Sequence, residues 1–382
     1  MKAQTIIIGG GVVGASVAYH LAERGCRDVL ILEREEGIGR GSTGRATGGV
    51  RAQFETEINI KLSLYSLDFF RDWDVYCGYE PRGYLFVATD ERQMEFLKIC
   101  CERQMEVGYP EVQILDQASV KDMVPGLNCD DIVGGTFGPR DGFIDPIAIL
   151  DGFSSRAVSR GARIQTGVTV NSIHLVNGRA AGVETTVGII ECDNVVLCTG
   201  AWARLLANTA GVDLPVEPQR RQIVWAQAKE NLPADLPMVI DLSDGFHFRP
   251  ANNSVNEVLF AYPDPQEPTS FNTHFDKAFV DKVYQKARHR APFLADTHVI
   301  REKCRAGLYE NTPDHHAILG GCDIDGLYFA NGFSGHGVMH SPATGRALAE
   351  IILEGNASFM DVSCLKLDRF AKGEFLQETA FI

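Results

Sequence analysis

The sequence predicts a mixed chain, α/β plus α+β, in which a parallel-stranded unit is interrupted by an antiparallel sheet. Three observations lead there. The N-terminus spells strand, glycine turn, helix, strand and acid; a stretch beginning at Thr169 alternates apolar and polar residues; and two separated blocks of short apolar runs break up the remainder.

The N-terminal unit is the most informative. Residues 4–8 form a β-branched run suited to a buried parallel strand. The run GGGVVG follows, with Gly9, Gly11 and Gly14 in G-x-G-x-x-G register. A helix is expected next, with Val13, Val17, Ala18 and Leu21 on one face and Gly25 as its C-terminal stop. The apolar run DVLILE then ends at Glu33. Each part has a physical task. Gly9 permits the turn, Gly11 lets backbone approach a pyrophosphate, and Gly14 lets helix and strand pack closely. The helix N-terminus offers free N–H groups to phosphate, and Glu33 stands where a carboxylate accepts both hydroxyls of an adenosine ribose. The unit reads as Rossmann-like, and by itself it does not separate FAD from NAD.

The next segment makes that separation. Residues 37–54, GIGRGSTGRATGGVRAQF, are too polar for a strand and too glycine-broken for a helix. Such density suggests backbone wrapped around a flat or anionic ligand, with Ser42 and Thr43 as hydroxyl donors beside Gly48 and Gly49. The alternating stretch TVNSIHLVNGRAAGVETTVGIIECDNVVLCTG turns at Asn177-Gly178 and reads as a β-meander ending in a buried run. In DGFIDP, Asp145 is placed as a helix N-cap with Pro146 at the first helical position. Near the C-terminus, NGFSGHGVMHSP (residues 331–342) follows the apolar run GLYFA and precedes a helical pattern ending at Gly355. Helix N–H groups there can stabilise negative charge on a ligand lying against Gly332, Gly335 and Gly337.

Bulk properties set limits. A chain of 382 residues exceeds what one hydrophobic core usually holds, so two domains are expected. The formal net charge of −14, with no basic run of five residues, argues against nucleic acid and against anionic membrane surfaces. Ten cysteines are scattered without a C-x-x-C pair, as in a protein of a reducing compartment. The apolar N-terminal stretch carries four glycines and no basic lead, so it is read as part of the fold. A soluble cytoplasmic protein without a membrane span is expected. A metal site is not expected. Asp314, His315, His316, His336 and His340 are near one another in sequence, but Gly335 and Gly337 disfavour a helix there and no Glu adjoins His336.

With these elements in place, the sequence resembles the D-amino acid oxidase-like flavoproteins, which include sarcosine oxidase, glycine oxidase and the β subunits of heteromeric sarcosine oxidases and L-proline dehydrogenases. The landmarks are IIIGGGVVGASVAYHLAERG, GSTGRATGGVRAQF, VVLCTGAWA, YENTPDHHAILGG and GLYFANGFSGHGVMHSPATG, in the family's order over nearly the whole chain. The second landmark and the ending LDRFAKGEF look most like the β-subunit branch.

The resemblance implies an FAD-binding domain in three pieces (1–82, 138–215 and 302–382) with an interleaved antiparallel-sheet substrate domain (83–137 and 216–301). It implies FAD contacts from Glu33 and Arg34, from the backbone of Val170 at the adenine, from Thr199, Gly200 and Trp202, and from Gly307, His336 and Val338. The family's flavin-linking cysteine corresponds to Gly307, with Cys304 three residues away, so the FAD is expected to be non-covalent. The implied reaction is oxidation of a primary or secondary amino acid by hydride transfer from the carbon next to nitrogen to flavin N5, after which the imine hydrolyses.

For the substrate carboxylate, Arg51 is the first choice and Arg305 the second. His247 and Phe248, in DGFHFRP, are expected to roof the substrate. Two departures stand out. Leu259 takes the place of the lysine that assists reaction with oxygen, and Met339 that of a second carboxylate-binding lysine. One cation fewer favours a bulkier or more apolar amine, such as proline or an N-alkyl amino acid. The alternative is a flavin-binding subunit of a heteromeric dehydrogenase, or an assembly factor, with little activity alone.

Overall fold

The computed structural model describes residues 2–378. Its first sheet is built on β1 (Lys2–Ile8), flanked in parallel by β2 (Val29–Leu32) and by the strand Gly188–Leu197. Arg163–Gln165 extends the sheet in parallel beyond β2, and Leu327–Asn331 extends it on the other side, with Ile318–Gly321 antiparallel at that edge. β2 is a continuous apolar run and β1 ends in one, residues 6–8, because helices and the meander cover both faces there. The meander is present as expected: Val170–Val176, Arg179–Thr185 and Gly188–Leu197 pair antiparallel, and Asn177 and Gly178 both take positive φ at the turn.

Helix α1 (Val12–Glu23) lies between the helices Pro146–Ser159 and Gly337–Glu354. Asp145 caps the former through the Ile147 and Ala148 N–H groups, with Pro146 at its start. The crossing with the latter is close enough that a Cβ on Gly345 would stand 2.1 Å from Ser16 Oγ. That same hydroxyl donates to the Ser341 carbonyl at 2.7 Å.

The second sheet draws on both sequence blocks. Glu217–Gln227, Glu257–Ala261, His247–Pro250 and Met238–Asp241 run antiparallel in that spatial order, and Tyr84–Ala88, Gly134–Gly138 and Gln113–Asp116 continue the sheet. The two blocks meet at a parallel pairing of Met238–Asp241 with Tyr84–Ala88, a departure from the purely antiparallel expectation. No hairpin joins these strands, so nothing local imposes opposite directions. A further strand, Arg305–Asn311, pairs with the first half of Glu217–Gln227 and so links the sheet to the C-terminal region. One face packs Leu85, Val87, Val239, Phe248 and Phe260 against the helices Gln117–Met123 and Phe279–Arg290. The other face looks across a cavity at the first sheet. Arg290 pins helix to sheet, bonding Asp241 at 2.7 Å and Asp131 through both Nη atoms.

Helix α2 (Glu57–Asp72) runs behind the glycine-rich segment. The carboxylate of Glu378 accepts from the Glu55 and Thr56 N–H groups at its N-terminal end and from Asn59 Nδ2. Among the described residues no helix is long and apolar enough to cross a membrane.

Candidate active site

A single cavity of ≈ 530 Å³ runs from the glycine turn after β1 to the open face of the second sheet. Its nucleotide end follows from local backbone chemistry. Gly9 takes φ +113°, and a Cβ there would stand 2.2 Å from the Cys198 carbonyl oxygen. A Cβ on Gly14 would stand 2.1 Å from the Gly9 oxygen, so Gly14 serves the helix–strand contact and does not line the cavity. Gly11, at the N-terminus of α1, carries no side chain to cap the helix. Glu33 accepts the Gly10 N–H at 2.8 Å on one carboxylate oxygen and the Glu35 N–H at 2.9 Å on the other, which fixes it at the cavity wall. Arg34 lies 3.9 Å from the centroid of the Trp202 ring, and Trp202 stacks on Phe271 at 5.6 Å. Val170, Thr199 and Gly200 complete this end.

The glycine-rich segment is held by arginines. Gly39 and Gly48 take φ of +76° and +75°, with a short 3₁₀ turn, Thr43–Arg45, between them. Arg45 donates to the Ala306 carbonyl at 2.9 Å, Arg249 to the Thr47 carbonyl, and Arg305 to the Arg45 and Ala46 carbonyls at 3.3 and 2.8 Å. This corrects the expectation for Arg305. Its side chain is spent on backbone and stacks over Trp225, and it does not line the cavity. Ser42 Oγ donates to the Leu308 carbonyl at 2.7 Å, and Thr43 Oγ1 accepts the Val12 N–H at 3.1 Å, so the first hydroxyl is committed to protein. Gly48, Gly49 and Gly307 line the cavity; a Cβ on Gly49 would overlap the Tyr84 hydroxyl at 1.8 Å.

The C-terminal loop differs from expectation at its helix. Gly337–Glu354 is helical from the first residue after the His336 N-cap, although glycines flank that histidine. Glycine's helix penalty is backbone entropy that weighs most in a helix interior, and Gly337 stands at the first helical position. Pro342 lies inside this helix, and Ser341 Oγ donates to the Val338 carbonyl at 2.8 Å, taking up the acceptor that Pro342 cannot serve. Gly335, His336, Gly337, Val338 and Met339 line the cavity, whereas Gly332 shapes the turn from outside it, at φ +76° with its N–H on Glu310. His336 packs edge-on to Phe54 at 4.8 Å, and His340 Nε2 meets Ser63 Oγ at 2.9 Å. Burial, then the Arg51 charge, lowers both histidines, His340 to about 3 and His336 well below its ordinary value. Among the described residues no group of three or more His, Cys, Asp or Glu side chains is placed to hold a metal ion; Asp314 is bound instead by Arg369 at 2.8 Å.

The sheet end gathers Arg51, Tyr84, Arg221, Met238, Ile240, His247, Tyr309 and Met339. Arg51 is buried, lies 3.9 Å over the Phe54 ring and donates to the Gln53 carbonyl. His247 faces the cavity with Nδ1 2.9 Å from the Gly245 carbonyl oxygen, and burial lowers it. Phe248 is the second correction. Period-two alternation turns it into the opposite core among Leu85, Val239 and Phe260, away from the cavity. Leu259, 2% exposed, is buried beside Ile223, Ala251 and Trp225.

Among the lining residues that the sequence does not announce are Arg221 and Glu310. Arg221 shares parity with Ile223, and both line the cavity; neighbouring Arg220 points elsewhere, bound by Glu267 at 2.8 and 3.0 Å. Glu310 was passed over as part of a landmark. Burial holds its carboxyl up at about 7 although the Gly332 and Phe333 N–H groups pull the other way. The available signals are an arginine two residues from an apolar run and an acid directly after the apolar stretch 306–309.

Thr199 Oγ1, Arg221 Nε, Ser334 Oγ and His336 Nε2 are buried without a hydrogen-bond partner among the described residues, and their side chains all belong to this one cavity. Unpaired polar atoms gathered along a glycine-walled cleft with a pinned ribose-type carboxylate at one end fit a bound flavin dinucleotide. The fold and cleft together define a flavin-dependent oxidoreductase. The chain belongs to the DAO family of FAD dependent oxidoreductases, whose match spans residues 4–351. It is 30% identical to FAD-dependent oxidoreductase domain-containing protein 1 of Xenopus laevis, over 99% of this chain and 84% of that protein. Among solved structures, L-proline dehydrogenase from P. horikoshii superposes with a TM-score of 0.90 at 29% identity, covering 98% of this chain and 99% of that one. Glycine oxidase from Geobacillus kaustophilus gives 0.84 at 25% identity, over 96% and 99% of the two chains.

Proposed function

We propose that the protein oxidises a secondary or primary amino acid, of sarcosine, proline or N-alkyl amino acid type, with non-covalently held FAD. The observation that carries this is the continuity of one cavity from the Gly9–Gly14 turn to the Arg51, Tyr309 and His247 end. Bound FAD supplies a hydride acceptor at N5 for the carbon next to nitrogen. In this reading Glu33 would hold the ribose, Gly11 and the N-terminus of α1 would receive the pyrophosphate, and the N-terminus of the Gly337–Glu354 helix would stabilise negative charge on the flavin. Arg51 binds the substrate carboxylate, with His247 and His336 beside it kept neutral by burial. Cys198 is the cysteine lining the cavity among the described residues, and burial pushes its thiol up, which disfavours a thioether link.

Segments 1–82, 138–215 and 302–382 are assigned to the cofactor and 83–137 and 216–301 to the substrate, with the strand Arg305–Asn311 joining them. Ten free cysteines suit a reducing, cytoplasmic setting. Turnover of sarcosine, proline and N-alkyl amino acids with an artificial electron acceptor, with the released carbonyl trapped, tests the proposal; flavin-containing protein that yields no carbonyl from any of them refutes it. A second reading has one observation in its favour: no lysine lines the cavity among the described residues. Electrons then pass to a partner subunit in preference to oxygen, and reduced protein mixed with air would reoxidise slowly.

A further inference from the structure

Among the described residues Arg221 is a cation without a counterion. It projects from the strand Glu217–Gln227 into the cavity, its Nε has no partner, and its bond from Nη1 to the Arg220 carbonyl is long at 3.3 Å. The acids whose fields reach it are Glu267 and Asp264. Both are already committed, Glu267 to Arg220 through both oxygens and Asp264 to Lys282 at 2.7 Å. The Tyr309 ring lies 5.2 Å from the guanidinium carbon and offers a π face, which is no substitute for a carboxylate. A half-buried guanidinium in that state costs free energy unless an anion completes it.

Arg51 stands at the same end of the cavity. Arg51, Arg221, Tyr309 and His247 all line this end, and the Arg221 guanidinium carbon lies 5.2 Å from the Tyr309 ring, so the two guanidinium groups share one space. The acids lining the cavity do not compete there. Glu33 and Glu35 belong to the nucleotide end, and Glu310 is turned to the Gly332 N–H. Counting cations from the sequence, with Met339 in place of a lysine, left this end one charge short. Arg221 restores that charge from a different wall.

We propose that the substrate is a dicarboxylic amine, with one carboxylate on Arg51 and the second on Arg221. The inference rests on the amino-acid oxidation reading above and adds the second acidic group.

The matched unreactive ligands diglycolate and methoxyacetate differ by one carboxylate and lack the oxidisable amine. Each is titrated into flavin-loaded protein, with the flavin's visible spectrum as the readout. Wild type should bind diglycolate more tightly by a factor on the order of 30 or more. In R221M the two should bind within about threefold of each other, with diglycolate losing far more affinity than methoxyacetate and flavin retained. R221K, which keeps the charge without the planar fork, should retain part of the preference. Turnover should follow the same pattern, with R221M raising KM for iminodiacetate by a much larger factor than KM for sarcosine. Equal binding of the two ligands by wild type, an intact preference in R221M, or loss of flavin from R221M would each overturn the second-anion site while leaving amino-acid oxidation standing. Failure of every amine to reduce the flavin, together with no ligand binding, would overturn both.

Discussion

The Glu310 carboxylate accepts the Gly332 N–H at 3.0 Å, so an acid in one strand holds the glycine turn that opens the C-terminal helix. Burial raises this carboxyl to about 7 from 4.5. The unfolded chain therefore loses this proton first, and the group's contribution to stability is full at low pH and declines as pH rises from about 4.5 to about 7. Asp141, buried and also raised to about 7, adds a decline of the same sign. E310Q should flatten part of that decline in a series of thermal midpoints against pH. An unchanged slope would contradict the assignment.

Glu33 is predicted to be the principal side-chain determinant of flavin retention, because both of its oxygens are fixed by backbone N–H groups at the cavity wall. E33A should weaken FAD roughly 10–100-fold, the cost of losing charge-assisted hydrogen bonds. Flavin released on dilution of the purified variant measures this directly.

Arg305 gives a prediction opposite to the one its sequence position suggested. Its bonds reach the Arg45 and Ala46 carbonyls, so R305A should loosen the glycine-rich segment and weaken FAD by about tenfold. KM for the amine should hardly move once flavin is saturating. A large rise in KM with flavin affinity intact would restore the carboxylate-binding role.

Ser341 compensates for Pro342. S341A should leave the Val338 carbonyl unserved in a buried helix and cost about 1–3 kcal/mol. Chemical denaturation of the loaded protein gives the value, and a change below about 0.5 kcal/mol would show that the helix finds another donor.

The nucleotide end was legible in the sequence because it is local. Gly9, Gly11, Gly14 and Glu33 lie within one βαβ unit whose spacing specifies its own geometry, and Asn177-Gly178 announces its turn just as directly. The sheet end was not legible to the same degree. Whether Arg221 or Arg305 reaches the cavity depends on the register between two strands that are distant in sequence, and both residues sit in mixed polar and apolar runs that look alike in one dimension. His247 and Phe248 illustrate the same limit: alternation says that they point oppositely, and only the packing of the helix Phe279–Arg290 says which side is core. The helix start at Gly337 was obscured by glycine propensity, which matters in helix interiors far more than at the first residue.

The central claim is that this cavity brings an amino acid's C–H bond to a bound flavin. Anaerobic mixing of the flavin-loaded protein with N-alkyl and cyclic amino acids, followed at the visible flavin band, tests it most directly. The account predicts bleaching in a single turnover, slowed by deuterium on the carbon next to nitrogen and by R51M. A yellow protein that no amino acid bleaches would contradict it.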